Sequence, residues 1–148
     1  MDRAEFIAIC DSETKLVRVE HGFSQEKMAS VLGLSKKTLV EIEKGRRTLG
    51  WMGAVALCAI FVDSEVLSGV FGGSPTDIIL ALAFEGRQLN YHKTSGVRIW
   101  WSVLMENEHY VIQQNILSQH YRLLNREGRR IASSFDIDDL LPIFRETV

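Results

Sequence analysis

The chain has 148 residues, carries 17 Lys+Arg against 19 Asp+Glu for a net charge of −2, and is 46% hydrophobic. That size suits one compact unit or two small ones, and 24% charged residues with only 2 Pro exclude a disordered composition. The uncharged stretch Gly50 to Val62 is too short to span a bilayer, Met1-Asp2-Arg3-Ala4-Glu5 lacks the order of a secretory signal, and Cys10 and Cys58 make no disulfide framework, so a cytoplasmic protein without a membrane partner is expected.

In chain order, helix-compatible spacing runs from Asp2 to about His21, followed by short amphipathic segments. An apolar helix is predicted over Trp51 to Ile60 and another over Asp63 to Phe71. Gly72-Gly73-Ser74-Pro75 is the densest breaker cluster and sets the expected domain boundary, 1–72 against 76–148. Thr76 or Pro75 can then start a helix through Asp77 to Phe84, and Phe84 to Gly96 reads as its extension or as a polar connector. Val97 to Met105, Tyr110 to Leu117, Gln119 to Leu124 and Arg129 to Phe135 are β-compatible, although Tyr110 to Leu124 also admits a helical piece. Turns are marked at Glu106-Asn107-Glu108 and Asn125-Arg126-Glu127-Gly128. Asp136 or Asp138 then caps a closing helix of about Asp139 to Arg145. The expected fold class is α+β: an all-α N-terminal part, then a small antiparallel sheet with flanking helices.

The informative stretch is Gln25 to Lys44. Ser24 and Ser35 are placed to cap two short helices, with Gly33 at the turn between them. Met28, Leu32, Leu34, Leu39 and Ile42 fall on the faces that would meet, and Ala29 is small where the helices cross. The spacing is that of a helix-turn-helix. Its window, Ser24 to Gly50, holds six basic and three acidic residues, so the chain's −2 divides into +3 here and −5 elsewhere. A net-acidic composition therefore does not exclude nucleic acid.

Over about Leu16 to Phe71 the sequence resembles the Cro/repressor-type (lambda-repressor-like, XRE) helix-turn-helix family, through Phe23-Ser24-Gln25-Glu26, Gly33-Leu34-Ser35 and Ile42-Glu43-Lys44-Gly45-Arg46. The resemblance implies five helices, double-stranded DNA as partner, a structural ion pair between Arg18 and Glu43, and a phosphate contact from Gln25. It departs at Arg47-Thr48-Leu49-Gly50, where many relatives carry Pro, and at Lys36-Lys37, where relatives often have amides. These departures leave the path into the fourth helix and the base preference open.

By position in the major groove, Lys36, Lys37, Thr38 and Glu41 are the expected base readers. Lys donates to guanine, Glu accepts from cytosine N4 and the Thr methyl meets thymine, so a G/C-containing half-site is expected. Ser35, Lys44, Arg46 and Arg47 join Gln25 as expected phosphate contacts, the three cations also suiting the negative end of the recognition helix.

One such module reads little DNA, and the class normally binds as dimers on half-sites about 34 Å apart. The second half is therefore expected to dimerise or to sense an effector. An unbroken strand puts Ile99, Trp101, Val103 and Met105 on one face and Trp100 and Leu104 on the other, with Trp100 and Trp101 as core, interface or effector contacts. Arg122, Arg126, Arg129 and Arg130 form a solvated hairpin, a second DNA contact or a site for an acidic partner.

No enzyme, metal or cofactor is expected. Glu106-Asn107-Glu108-His109 lies in a turn without a second His at helical spacing, His21, His92 and His120 are scattered, and Asp136, Asp138 and Asp139 suit a helix cap. Ser133-Ser134 lacks the Gly-x-Ser-x-Gly elbow, and no Gly-rich phosphate loop occurs. The expected function is a transcriptional repressor binding an inverted repeat as a homodimer. The alternative is an antitoxin whose second half neutralises a toxin.

Overall fold

The computed structural model describes residues 1–85 and 100–146. The chain divides into two compact units, Met1–Asn90 and Tyr91–Val148.

The first unit holds helices α1 (Arg3–Glu20), α2 (Gln25–Leu32), α3 (Lys36–Glu43), α4 (Gly50–Ile60), α5 (Glu65–Phe71) and α6 (Pro75–Phe84). Caps set most of their starts. The Asp2 carboxylate accepts from the Glu5 amide at 2.8 Å while the Glu5 carboxylate accepts from the Asp2 amide at 3.0 Å, so two orphan donors are satisfied at once. Ser24, Ser35, Ser64 and Ser74 each cap the following helix through the side-chain oxygen. α4 has no side-chain cap of its own. Instead Asp11 of α1 accepts from the Leu49 amide at 2.7 Å, and the Thr48 hydroxyl accepts from the Gly50 amide at 3.0 Å. Those two bonds supply the path into the fourth helix that the missing proline left open.

Phe6, Cys10 and Val17 of α1 are buried against Met28, Leu39, Leu57 and Leu67 of the next four helices. Phe6 meets Phe71 and Trp51 at ring centroid distances of 5.2 and 5.7 Å. The two cysteines, both free, face each other across this core with sulfurs 3.8 Å apart.

The boundary expected at Gly72–Pro75 is not where the units divide. That cluster does separate α5 from α6, but Ile78, Ile79 and Leu82 of α6 pack onto the first core. Arg3 adds a tie from the other end of the unit. Its guanidinium lies 4.4 Å from the centre of the Trp51 ring and donates to the Leu82 and Ala83 carbonyls at the end of α6. Breakers interrupt a helix without interrupting a core. The predicted continuation over Phe84 to Gly96 lies, beyond Glu85, outside the described residues.

The second unit is an antiparallel sheet in the order β1 (Trp101–Glu106), β2 (Tyr110–Asn115), β3 (Tyr121–Asn125), β4 (Arg130–Ser134), followed by α7 (Leu141–Arg145). Tyr110 to Leu124 is thus two strands and their turn rather than a helical piece. Asp136 caps a 3-10 turn over Ile137–Asp139, and α7 starts two residues later than the predicted closing helix. The row Met105, Ile112, Leu123, Ala132 runs across the sheet in register. Ile112 and Leu123 on it are fully buried with Leu140 and Phe144 of the α7 segment. Asn107 secures the first turn: its side-chain oxygen accepts from the His109 and Tyr110 amides and its amide donates to the Phe144 carbonyl at 2.8 Å.

The predicted alternation along the first strand breaks at Leu104. Pairing jumps from Val103 opposite Gln113 to Met105 opposite Ile112, so Leu104 is an extra residue in a bulge. Val103 and Met105 consequently lie on opposite faces, not the same one. Ile99 is outside the described residues.

Glu20 ties the end of α1 to the start of α5. One carboxylate oxygen accepts from the Ser64 hydroxyl at 2.6 Å and the other from the Glu65 and Val66 amides at 2.7 and 3.2 Å. The Ser64 bond first, and then the amides, hold its carboxyl below the usual glutamate range. A depressed carboxyl stabilises the fold above the unfolded-state pKa and loses that contribution as pH falls through its folded value. Glu20→Gln is expected to lower urea stability by about 1 kcal/mol at neutral pH, with the difference from wild type shrinking as titration passes below the glutamate range.

Candidate nucleic-acid interface

The short helix α3 is held from both of its ends. α3 is eight residues long, and buries only Leu39 and Ile42. A helix of that length is marginal in isolation, so tertiary contacts must hold it. Gly33 ends α2 in the left-handed region at φ 71, and the Leu34 amide donates back to the Ala29 carbonyl at 2.8 Å. Ala29, 3% exposed, lies under this turn, where a larger side chain would push the helices apart.

The other anchor is Glu43, the last residue of α3. Its Oε1 accepts from Arg18 Nε of α1 at 2.5 Å, and its Oε2 accepts from Gln25 Nε2 of α2 at 2.7 Å. Arg18 also donates from Nη1 to the Phe23 carbonyl at 3.1 Å. With Arg18 and Glu43 side chains 15% and 5% exposed, this is a nearly desolvated pair whose charges are met by further hydrogen bonds. It is the expected structural ion pair, and Gln25 is drawn into it.

The predicted base readers divide by their partners. Lys37 is exposed at the start of α3 and has no hydrogen bond or ion pair among the described residues. Lys36 reaches back to Glu26 of α2, Nζ to Oε1 at 2.6 Å. This contact comes first among the causes that hold the Glu26 carboxyl below its ordinary value. Thr38 shares a hydroxyl contact with Ser35 at 2.9 Å and accepts from Arg47 at 3.4 Å. Glu41 faces Arg46 at 3.9 Å.

The predicted phosphate group is split as well. Ser35 caps α3, accepting from the Thr38 amide at 3.1 Å, so its hydroxyl already has a structural task. Lys44, Arg46 and Arg47 are exposed beyond the end of α3. Gln25 and Lys44 line one cleft of about 200 Å³, together with Lys15, Arg18, Val40 and Glu43. Lys15 is a cation that the sequence reading missed. Its signal was present, because Lys15 and Arg18 stand three apart on α1 and so share a face.

The remaining candidates belong to the other unit. Trp101 carries the Arg122 guanidinium 3.7 Å from its ring centre, and Trp100 is 39% exposed. Of the arginine cluster, Arg126 pairs with Glu106 and donates to the Asn107 and Glu108 carbonyls, which closes the hairpin ends together.

Two serine-capped helices, a left-handed glycine between them and a buried carboxylate locking the second to the first make one motif. Residues 15–50 are a helix-turn-helix. That stretch matches the family model described as Helix-turn-helix. It spans the end of α1, all of α2 and α3, and the first residue of α4. No curated protein and no solved structure matches the chain. Within the helix-turn-helix, five of the eight cations, Lys36, Lys37, Lys44, Arg46 and Arg47, lie on or after α3. Among the described residues, no single helix is long and apolar enough to cross a membrane.

Glu43→Ala removes the acceptor for both Arg18 and Gln25 and strands a mostly buried guanidinium. Breaking a desolvated pair from one side typically costs about 3–5 kcal/mol, and the Phe23 carbonyl retained by Arg18 places the expectation at the lower end. Urea unfolding of the full chain followed by circular dichroism checks it; a loss under about 1 kcal/mol would show that the lock is not needed.

Proposed function

We propose that the protein is a sequence-specific DNA-binding transcriptional regulator, a cytoplasmic repressor that binds an inverted-repeat operator as a homodimer. The observation that carries this reading is the matched helix-turn-helix at residues 15–50, with the N-terminal end of α3 exposed and an unpaired Lys37 on it. In this reading α3 lies in the major groove with its first turn toward base edges. Lys37 donates to guanine, Thr38 offers its methyl group to thymine and Glu41 accepts from cytosine. Lys36 joins them by exchanging Glu26 for a base acceptor, and an exposed pair gives up little in doing so.

Gln25 retains its second amide hydrogen while bonded to Glu43, and that hydrogen supports a phosphate contact beside Lys15 and Lys44. Arg46 and Arg47 follow the helix along the backbone. These contacts give affinity and salt dependence without sequence information. Ser35 acts through the cap that orients the first turn.

The second unit serves as the dimeriser, since one eight-residue reading helix covers too few base pairs for specific binding. The exposed apolar side chains of its sheet, Val103 at 55% and Phe135 at 78%, favour an interface there. The same exposure supports the antitoxin reading, in which a small toxin covers the sheet. Co-purification of such a protein with the native chain would replace the repressor reading.

Genomic footprinting supplies the operator. Against that duplex, Lys37→Ala is expected to cost about 1–3 kcal/mol and to relax base choice, whereas Arg46→Ala weakens matched and scrambled duplexes alike and reduces the salt slope by about 1. Titration of both variants at several salt concentrations checks this. Equal losses on the two duplexes for Lys37→Ala would make that residue a backbone contact.

A further inference from the structure

Two thiols face each other in the core of the first unit. Cys10 of α1 and Cys58 of α4 are 0% and 2% exposed, and their sulfurs lie 3.8 Å apart in hydrogen-bond contact. A sulfur–sulfur bond is about 2 Å long, so the pair stands about 2 Å short of bonding distance. With Cys10 as donor, the contact keeps the proton on Cys10 and favours the thiolate at Cys58. It comes first in raising the Cys10 thiol, where burial adds to the rise, and first in lowering that of Cys58. The two sulfurs thus differ, one suited to attack and the other to follow.

No oxidant reaches either sulfur while α4 lies on α1. Among the described helices of the first unit, α4 is the one that starts without a side-chain cap, and Gly53 in its interior weakens it further. Both features lower the cost of lifting α4 locally, the movement that uncovers Cys58. Position decides what a bond would enclose. Cys10 and Cys58 are 48 residues apart, and the whole matched helix-turn-helix, residues 15–50, lies between them.

We propose that Cys10 and Cys58 form a redox-sensitive latch, in which a hydroperoxide converts the two thiols to a disulfide that staples α1 to α4 and encloses the helix-turn-helix. The Cys58 sulfur attacks a peroxide oxygen, the O–O bond breaks, and the leaving oxygen departs as water or an alcohol with the thiol proton. The Cys10 sulfur then attacks the Cys58 sulfur of the resulting sulfenic acid, the S–O bond breaks, and the hydroxyl group leaves as water with the Cys10 proton. The thiol pair gives up two electrons and two protons, and the hydroperoxide takes them. Closing so long a loop restricts the unfolded chain, and the bond keeps α4 from lifting again. In a reducing compartment the thiol form is the resting one and the disulfide a transient response. The latch acts on the fold of the first unit and rests on neither the operator nor the homodimer reading.

Treatment of the reduced full-length chain with hydrogen peroxide tests the latch. The treated chain is expected to lose about 2 Da in intact mass and to give a peptide joining Cys10 to Cys58. It is expected to melt at least about 5 °C above the reduced chain, and dithiothreitol reverses all three changes. Cys10→Ala and Cys58→Ala each abolish the mass loss and the gain in melting temperature, and the wild-type measurements decide alone where either variant fails to fold. In peroxide-treated Cys10→Ala, dimedone captures the sulfenic acid on Cys58; capture on Cys10 in Cys58→Ala, with none on Cys58, overturns the order of attack. Both thiols still titratable in denaturant after peroxide, a disulfide between two chains, or oxidation beyond sulfenic acid without the joined peptide would overturn the latch. So would a joined peptide with no rise in melting temperature.

Discussion

Glu43 is the point through which the first unit holds α3. One oxygen reaches α1 through Arg18 and the other reaches α2 through Gln25, while Arg18 also fastens the carbonyl just before α2. Three elements are thereby referred to one carboxylate at the C-terminal end of α3. The opposite end of that helix is set independently by the Ser35 cap and the Gly33 turn. With both ends fixed and Leu39 and Ile42 buried along its inner side, the remaining surface of α3 has one orientation available. That rigidity is what the proposed base-reading role requires, because a bidentate contact tolerates little angular error. A nearly desolvated ion pair is a poor source of net stability, but it defines register well. Here the register is the angle at which α3 leaves the turn.

The charge economy of the surface follows the same division of labour. Around α3, Lys36 is returned to Glu26 and Arg46 stands near Glu41, which leaves Lys37, Lys44, Arg47, Lys15 and Lys27 as cations without ion pairs among the described residues. Of these, Lys15 and Lys44 flank the cleft at Gln25 while Lys37 projects from the first turn of α3. The positive surface is therefore small and arranged around one helix rather than spread over the unit. A net charge of −2 is compatible with it because Asp2, Glu5, Asp11 and Glu20, at and along α1, are engaged as caps and ties.

What could be read from the sequence was local. The helix-turn-helix announces itself through Ser24, Gly33 and Ser35, each acting within about four residues, and through an apolar spacing that matches the buried set. The hairpins were legible from the turn residues Asn107, Asn125 and Gly128. Long-range ties were not: Asp11 to Leu49, Glu20 to Ser64 and Arg3 to the end of α6 join residues between 38 and 80 positions apart. No spacing rule reaches that far. The unit boundary was misread for a related reason, since Gly72 to Pro75 reports the end of a helix but carries no information on which core the next helix joins. The bulge at Leu104 had no signal either, because no glycine marks it and the strand around it alternates poorly. Around α3, exposure was legible and partners were not. Lys36 and Lys37 look equivalent in sequence, and the structure separates them by giving one of them Glu26.

The bulge has a consequence for the second unit as a whole. In an unbroken β1, Met105 would share a face with Trp101 and Val103, making that face a continuous apolar stripe. Inserting Leu104 turns Met105 toward the α7 side, where it extends the row that ends at Ala132, and leaves the open face with Trp101, Val103 and Arg122. The open face is thereby mixed rather than purely apolar: an arginine over a tryptophan, with glutamine and serine in the same row. A purely apolar stripe on an edge strand invites indiscriminate strand pairing, whereas a face that carries charge in a fixed place discriminates among partners. The single inserted residue therefore does for the sheet what Glu43 does for α3. It fixes which side chains face outward.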